Sequence, residues 1–326
     1  MRPITFLALL FLTSAAPRWH PASYVIQPGQ IDLAKGPDGN TVILDAPQGL
    51  IVVDTGRHPE HAQAIIDYAQ KVGKPVVAVI NTHWHLDHTT GNRDVLAAFP
   101  GAKIVASRAV DGALGGFLAR SRTQGEKALE EGKLDPEAKA RTERALAAMN
   151  DRAAIIPGVA IVRNGPMRLG GRPLQFHLAS NAATEGDVWF VSPDEKLAVV
   201  GDLVVAQVPF FDTGCEKGWA KALDAIAQAR WTVLIPGHGA PMNRAQFDRW
   251  HRAFTRFVDC AHSDRAAQAC ASQWQEDAAG FYAPAERDEV GLLARYYINE
   301  VLRAPAEKRM PYCRIGPFIF GSRLQT

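Results

Sequence analysis

The chain has 326 residues, 47% of them hydrophobic and 21% charged, with 36 Lys and Arg against 34 Asp and Glu. Those proportions belong to a globular protein and exclude a disordered chain, a collagen and a coiled coil. A net charge of +2 is too small and too evenly spread to point to nucleic acid or an anionic membrane, which leaves a small molecule as the expected partner.

At the N-terminus, Arg2, the apolar run Ile4–Leu12 and then Ser14-Ala15-Ala16 read as the basic, apolar and small-residue parts of a signal peptide covering about residues 1–16. The run is shorter than the ~20 residues a spanning helix needs. No lipobox-type cysteine follows it, so no stable membrane anchor is expected after processing. The expected location is periplasmic or secreted. Four cysteines, Cys215, Cys260, Cys270 and Cys313, suit an oxidising compartment, where they allow two bridges in three connectivities. The favoured pairs are Cys260–Cys270, across a short loop between helical patterns, and Cys215–Cys313, tying the tail to the body. A catalytic thiol at Cys215 is the weaker alternative.

Along the chain, Thr41–Asp45 and Leu50–Asp54 form a hairpin pattern around Ala46-Pro47-Gln48-Gly49. Glu60–Lys71 is helical in spacing, and the wholly apolar Val76–Ile80 reads as a strand buried on both faces. A helix over about Arg93–Phe99 precedes a strand at Lys103–Ala106. The alternation predicts parallel pairing through right-handed crossovers. Gly112–Arg152 is charged, Ala-rich and free of strand runs, a helical insertion that is either a lid or a solvated hairpin. Strand patterns return at Val159–Val162, Leu174–Leu178, Val188–Val191, Leu197–Val200 and Thr232–Ile235, with a helix over Ala220–Ala229. From Arg244 the chain reads as helical. Phe247, Trp250, Phe254, Phe257 and Val258 make one apolar face, and Val290, Leu293, Tyr297 and Val301 another. Both are read as core.

The chemistry gathers after three buried strands. Following Val76–Ile80 comes Asn81-Thr82-His83-Trp84-His85-Leu86-Asp87-His88, which carries three of the ten histidines. His83 and His85 point the same way only if extended, whereas Asp87 and His88 need a turn. That combination suits a loop beyond the carboxyl end of a strand in an open α/β sheet. Gly201-Asp202 follows Leu197–Val200, and Pro236-Gly237-His238-Gly239 follows Thr232–Ile235. Each adds one metal-competent side chain beside a glycine that permits close backbone approach.

These residues resemble the metallo-β-lactamase superfamily. Its H-x-H-x-D-H motif is His83, His85, Asp87 and His88, its strand-end Asp is Asp202 and its last histidine is His238. Leu50–Gly56 is similar to its early strand-and-turn motif. The resemblance covers about Thr41 to Met242 and implies an α/β fold, a four-layer αββα sandwich with the metal site between the sheet ends. The expected organisation is a signal peptide (1–16), a sandwich domain (17–242, with the insertion at about 112–152) and a helical C-terminal extension (243–326). The resemblance further implies that His83 and His85 bind a first metal, that Asp87, His88 and His238 bind a second, and that Asp202 bridges them. Asp54 would stand behind the ligands and orient one, and Asp87 would also orient the nucleophile.

One departure is plain. The family's Gly-His-Thr-x-Gly-Asp turn here reads Asn181-Ala182-Ala183-Thr184-Glu185-Gly186-Asp187, so Ala183 stands where a third ligand of the first metal belongs. Three outcomes are open: one metal at Asp87, His88, His238 and Asp202; two metals with the first weakened; or substitution by His177 or Asn181. Nitrogen and oxygen ligands make Zn2+ the first choice, as one or two ions, with Fe and Mn compatible. The expected activity is metal-dependent hydrolysis of an ester, thioester, lactone, β-lactam or phosphoester. The alternatives are a di-iron or sulfur-metabolism oxidoreductase and a catalytically degenerate metal-binding module.

Overall fold

Alternating apolar residues place two sheets face to face in the computed structural model, which describes residues 24–30, 35–309 and Cys313. The expected signal peptide lies outside the described residues. The first sheet runs in chain order: β1 (Tyr24–Gln27), β2 (Thr41–Ala46), β3 (Gly49–Val53), β4 (Val76–Ile80), β5 (Lys103–Ala106) and β6 (Val159–Ala160). β1 to β3 are antiparallel and β3 to β6 parallel. Parallel neighbours require crossovers, supplied by α1 (Pro59–Val72), then α2 (Leu86–Thr89) and α3 (Asn92–Ala98). The second sheet has the order β11-β10-β9-β8-β7, formed by β7 (Gly165–Leu169), β8 (Arg172–Ser180), β9 (Gly186–Ser192), β10 (Leu197–Val205) and β11 (Val233–His238). Only β10 and β11 pair in parallel there, among the described strands.

The period of two along each strand divides the apolar residues between layers. Val42, Leu44, Ile51 and Ile80 of the first sheet meet Phe176, Val188, Phe190 and Val199 of the second. On the outer face of the first sheet, Ile43, Val52 and Val79 pack on Ile65 and Ala69 of α1 and Val95 of α3. Trp189, Ala198 and Val200 leave the second sheet on its other side, toward α8. The result is helix, sheet, sheet, helix.

The segment expected as a helical insertion is helical: α4 (Ala109–Gly115), α5 (Phe117–Glu131), α6 (Pro136–Asn150) and α7 (Arg152–Ile155). Its apolar residues Val110, Leu118, Met149 and Ile155 bury Trp84 from the histidine-rich loop. α8 (Glu216–Gln228) crosses from β10 to β11, and α9 (Arg244–Ala261), α10 (Ala267–Asp277), α11 (Arg287–Tyr296), a π-helical segment Tyr297–Leu302 and α12 (Ala306–Arg309) follow. Phe247, Trp250, Phe254 and Phe257 of α9 join Trp219 of α8 in one core with Trp189, as their spacing predicts.

Several boundaries differ from the sequence expectation, each for a local reason. β10 does not stop at Val200. It continues to Val205 through a register shift at Gly201, whose φ of 54° turns the chain without ending its pairing to β11. Asp202 is therefore inside a strand, and His238 closes β11 rather than following it. Asp54, expected as strand, has a φ of 57° just beyond β3. α8 begins at Glu216, four residues earlier than its apolar spacing indicates. β1 and β7, absent from the sequence reading, are half-buried edge strands, and β7 contains Pro166.

Both favoured disulfides form, Cys215–Cys313 across 98 residues and Cys260–Cys270 across 10. Loop-closure entropy scales with the logarithm of those lengths. Replacing Cys215 and Cys313 together by Ala is thus expected to cost about 4–5 kcal/mol in urea unfolding, against about 3 kcal/mol for the Cys260 and Cys270 pair. The reverse order would contradict that origin.

Candidate metal centre

After β4 the chain bends through Thr82, His83 and Trp84 to His85, whose φ and ψ of −62° and 147° make it the cap of α2. Asp87 and His88 sit in that short helix, so a bent loop followed by one helical turn aims four side chains at one place. Asp202 and His238 reach the same place from β10 and β11. Asp202 Oδ1 is 3.1 Å from His88 Nε2 and 3.4 Å from His238 Nε2, and Asp202 Oδ2 is 3.6 Å from His83 Nε2. Asp87 Oδ2 is 3.2 Å from His238 Nε2 and 3.6 Å from His88 Nε2.

The side chains form two overlapping sets, Asp87, His88, Asp202 and His238 in one, His83, His85 and Asp202 in the other. Within each, the donor atoms lie within 4.8 Å of one another. Asp202 belongs to both. Glycine allows this crowding: a Cβ on Gly237 would stand 1.9 Å from Asp202 Oδ1, and one on Gly39 would stand 2.2 Å from His88 Cε1. His83 Nε2 and both Asp202 oxygens are buried without a hydrogen-bond partner. Each such group costs on the order of 1–3 kcal/mol if nothing engages it. A cation held between them removes that cost, so the donor set fits a metal ion.

The surrounding hydrogen bonds fix which nitrogen of each histidine faces inward. Asp54 Oδ2 accepts from His88 Nδ1 at 2.8 Å and from the Thr82 hydroxyl at 2.7 Å, while Asp54 Oδ1 accepts from the Thr82 amide at 2.8 Å. Having given its one proton to Asp54, the Thr82 hydroxyl accepts from His83 Nδ1, 3.0 Å away. When neutral, both histidines therefore present the Nε2 lone pair to the cluster. His85 obeys the same logic in reverse. The Thr213 hydroxyl donates to the Ala183 carbonyl at 3.0 Å and so accepts from His85 Nε2 at 2.8 Å, leaving the lone pair on Nδ1.

Ala183 itself is buried and brings only that carbonyl to the site. Of the two suggested substitutes, His177 stands outside the ligand groups: its ring stacks on Trp189 at 3.9 Å, on the helix-covered side of the second sheet. Asn181 has a φ of 51°, and its backbone N–H donates to the Glu185 carbonyl in the turn before β9.

Burial and charge compete strongly here. Burial opposes protonation of His88, but Asp202, Asp54 and Asp87 outweigh it and hold its pKa well above the usual imidazole value. His238 is likewise opposed by burial yet raised to about 9 by Asp202 and Asp87. His83 goes the other way, lowered by burial and then by His88. Burial resists ionisation of Asp87 and Asp202, but the facing histidines pull both below the ordinary carboxylate range.

Residues outside the motifs complete the groove. Arg57 Nη2 approaches Asp87 Oδ1 at 3.8 Å. The Phe210 ring meets His238 edge-on at 5.5 Å, and the Tyr297 hydroxyl donates to Asp212 Oδ2 at 2.7 Å. Tyr297 is thus core by burial, as its spacing predicts, and also carries a polar contact at the groove. Thr82 stood within the motif, but Thr213, Arg57 and Phe210 carry no sequence signal.

The profile of the metallo-beta-lactamase superfamily matches residues 35–238. Hydroxyacylglutathione hydrolase of Gloeobacter violaceus is 42% identical over 50 residues, 15% of this chain and 20% of that protein. A linear primary-alkylsulfatase of a Pseudomonas species is 38% identical over 50 residues, 15% of this chain and 10% of that protein. The chain thus matches a fifth or less of the length of these two relatives. Among solved structures, a metallo-beta-lactamase from Pontibacter korlensis aligns with a TM-score of 0.50 at 18% identity, covering 71% of this chain and 93% of that one. A stereoselective inverting sec-alkylsulfatase from Pseudomonas sp. aligns with a TM-score of 0.52 at 21% identity, covering 79% of this chain and 47% of that one. At such identities the likeness is one of fold.

The carboxylates hold the pKa of His88 above the usual imidazole value and raise that of His238 to about 9, so a metal that takes their lone pairs competes with protons. Zinc affinity is expected to rise from pH 6 to pH 8, with proton release seen by calorimetry in two buffers. An affinity independent of pH would contradict this.

Proposed function

The chain belongs to the metallo-β-lactamase superfamily, and we propose that it acts there as an exported, metal-dependent hydrolase holding zinc at Asp87, His88, Asp202 and His238. The observation that carries this reading is the buried set of two carboxylates and two histidines, with donor atoms within 4.8 Å of one another. Four protein ligands of nitrogen and oxygen suit zinc. The second set, with His83, His85 and Asp202, has one protein ligand fewer, because Ala183 has only a methyl group to offer. We assign it the weaker ion.

When bound, the metal supplies Lewis acidity toward the scissile bond and acidifies a water molecule. The chain's own residues do the rest. Asp87, ionised and held between His238 and Arg57, is placed to accept a hydrogen bond from a water molecule and so orient it. Asp202 joins both donor sets, so a charge change in one is felt in the other. Asp54 and Thr82 keep His83 and His88 in a single tautomer, sparing the site a rearrangement during turnover. Phe210 and Trp84 cover the cluster on its flanks and limit water to the groove.

The alkylsulfatases among the relatives add sulfate esters to the substrate classes to be tested, alongside esters, thioesters, lactones, β-lactams and phosphoesters. The two disulfides are compatible with an oxidising compartment, which supports a periplasmic or secreted location. No described helix is long and apolar enough to cross a membrane.

Metal analysis of the purified chain and of Ala183→His tests this reading. Fewer than two tightly held ions are expected in the wild type and more in the variant, together with zinc-dependent turnover of at least one class in the panel. Loss of turnover is expected in Asp202→Ala. Two tight ions in both proteins would overturn the weakened second set. Metal-free protein without turnover on any class would overturn the hydrolase, and an iron-type absorption spectrum would favour an oxidoreductase.

A further inference from the structure

Away from the metal centre, a further group of metal-competent side chains lies where the tail meets the body. Cys215, Glu216 and Cys313 offer ligand atoms that all lie within 4.8 Å of one another. Cys313 Sγ is 3.8 Å from Glu216 Oε2, and His262 Nε2 is 3.5 Å from the other carboxylate oxygen, Oε1. Two sulfurs and an imidazole nitrogen therefore gather around one carboxylate. They come from the start of α8, the end of α9 and the tail.

Most of this arrangement does not depend on the sulfur–sulfur bond. Cys215 is the N-cap of α8, and its amide donates to the Ala182 carbonyl at 2.8 Å. Glu216, the first residue of α8, is buried. His262 caps the end of α9, its amide donating to the Val258 carbonyl at 3.1 Å. The two helices share the core built on Trp219, Phe254 and Phe257. Three of the four donors thus keep their places when the bond opens, and only Cys313 arrives on the tail.

Opening the bond changes the charge at this place. A disulfide sulfur carries neither proton nor charge, whereas a freed cysteine at a helix N-terminus favours the thiolate. Two thiolates beside a buried carboxylate repel one another unless a cation joins them. Two thiolates, an imidazole and a carboxylate are the donors of a closed, four-coordinate zinc site. Among the described residues, no acid or histidine joins Cys260 and Cys270 in such a group.

We propose that, in the thiol state, Cys215, Cys313, Glu216 and His262 form a structural zinc site that replaces the disulfide as the tie between tail and body. Cleaving the S–S bond takes two electrons and two protons, which a reducing dithiol supplies as it closes to its own disulfide. Zinc then takes the place of the two thiol protons, forming two Zn–S bonds and releasing those protons to solvent. The same residues hold either a bond or an ion, never both. No step of this depends on the hydrolase reading.

The test is a cobalt(II) titration of the full chain, stripped of metal, before and after reduction by a water-soluble phosphine, which ends as its oxide with an oxygen from water. Thiolate-to-cobalt charge transfer in the near ultraviolet reports sulfur ligation. The metal centre, with nitrogen and oxygen donors alone, cannot produce it. A saturable band is expected in the reduced chain, displaced by zinc and absent from the oxidised chain, with native-like circular dichroism. Replacing Cys215 and Cys313 together by Ser is expected to abolish the band, and replacing Cys260 and Cys270 together by Ser to leave it. Glu216→Gln and His262→Ala are each expected to weaken cobalt at this site about tenfold, as loss of a charge-assisted contact does. A folded reduced chain without the band overturns the proposal, as does a band that requires Cys260 and Cys270. An affinity unmoved by both Glu216→Gln and His262→Ala overturns it too, and so does a reduced chain that is unfolded even with cobalt present.

Discussion

The hydrogen bonds of the Asp54 carboxylate govern the rest of the metal centre. Buried beyond β3 in a left-handed backbone conformation, Asp54 accepts one hydrogen bond from His88 and two from Thr82, and through the Thr82 hydroxyl it also sets His83. A carboxylate can only accept here, so the direction of every bond in this chain is settled, and with it the inward lone pair on two histidines. Thr213 does for His85 what Thr82 does for His83, with the Ala183 carbonyl as the terminal acceptor. Ala183 thus serves the site through its backbone carbonyl, as the support behind a neighbouring imidazole.

The fold makes such crowding affordable at one place. Two sheets bring the ends of β4, β10 and β11 together, and glycines at 39, 201 and 237 let side chains approach backbone more closely than any Cβ would permit. The same convergence buries two carboxylates among four histidines. Removing one member would leave its partners charged and unsolvated, a cost of several kcal/mol. The opposite charges of the cluster therefore stabilise one another only as a complete set.

Much of this was legible in the sequence because the chemistry is contiguous. His83, His85, Asp87 and His88 occupy one six-residue stretch, and Asp202 and His238 each follow a strongly apolar run with a glycine beside them. The strand core, the insertion's helices and both cysteine pairings could be read in the same way. What could not be read depends on distance through space. Thr213 lies far along the chain from His85, and nothing near it in sequence marks its hydroxyl as a proton acceptor for an imidazole. Arg57 resembles any loop arginine until Asp87 and α6 are placed around it. β1 and β7 escaped because edge strands bury only part of one face, and β10 was ended too early because Gly201 imitates a strand stop while forming a bulge.

If Asp54 orders the site, replacing it by a group of the same shape that cannot accept in both directions should damage metal binding without unfolding the chain. Zinc affinity of Asp54→Asn, measured by competition with a chromogenic chelator at pH 7.5 and accompanied by circular dichroism, tests this most directly. The account predicts native-like secondary structure with affinity weakened by about 10- to 100-fold, the range found when a partner behind a ligating histidine is removed. An unchanged affinity in a folded variant would show that the histidines find their orientation without Asp54, and would contradict it.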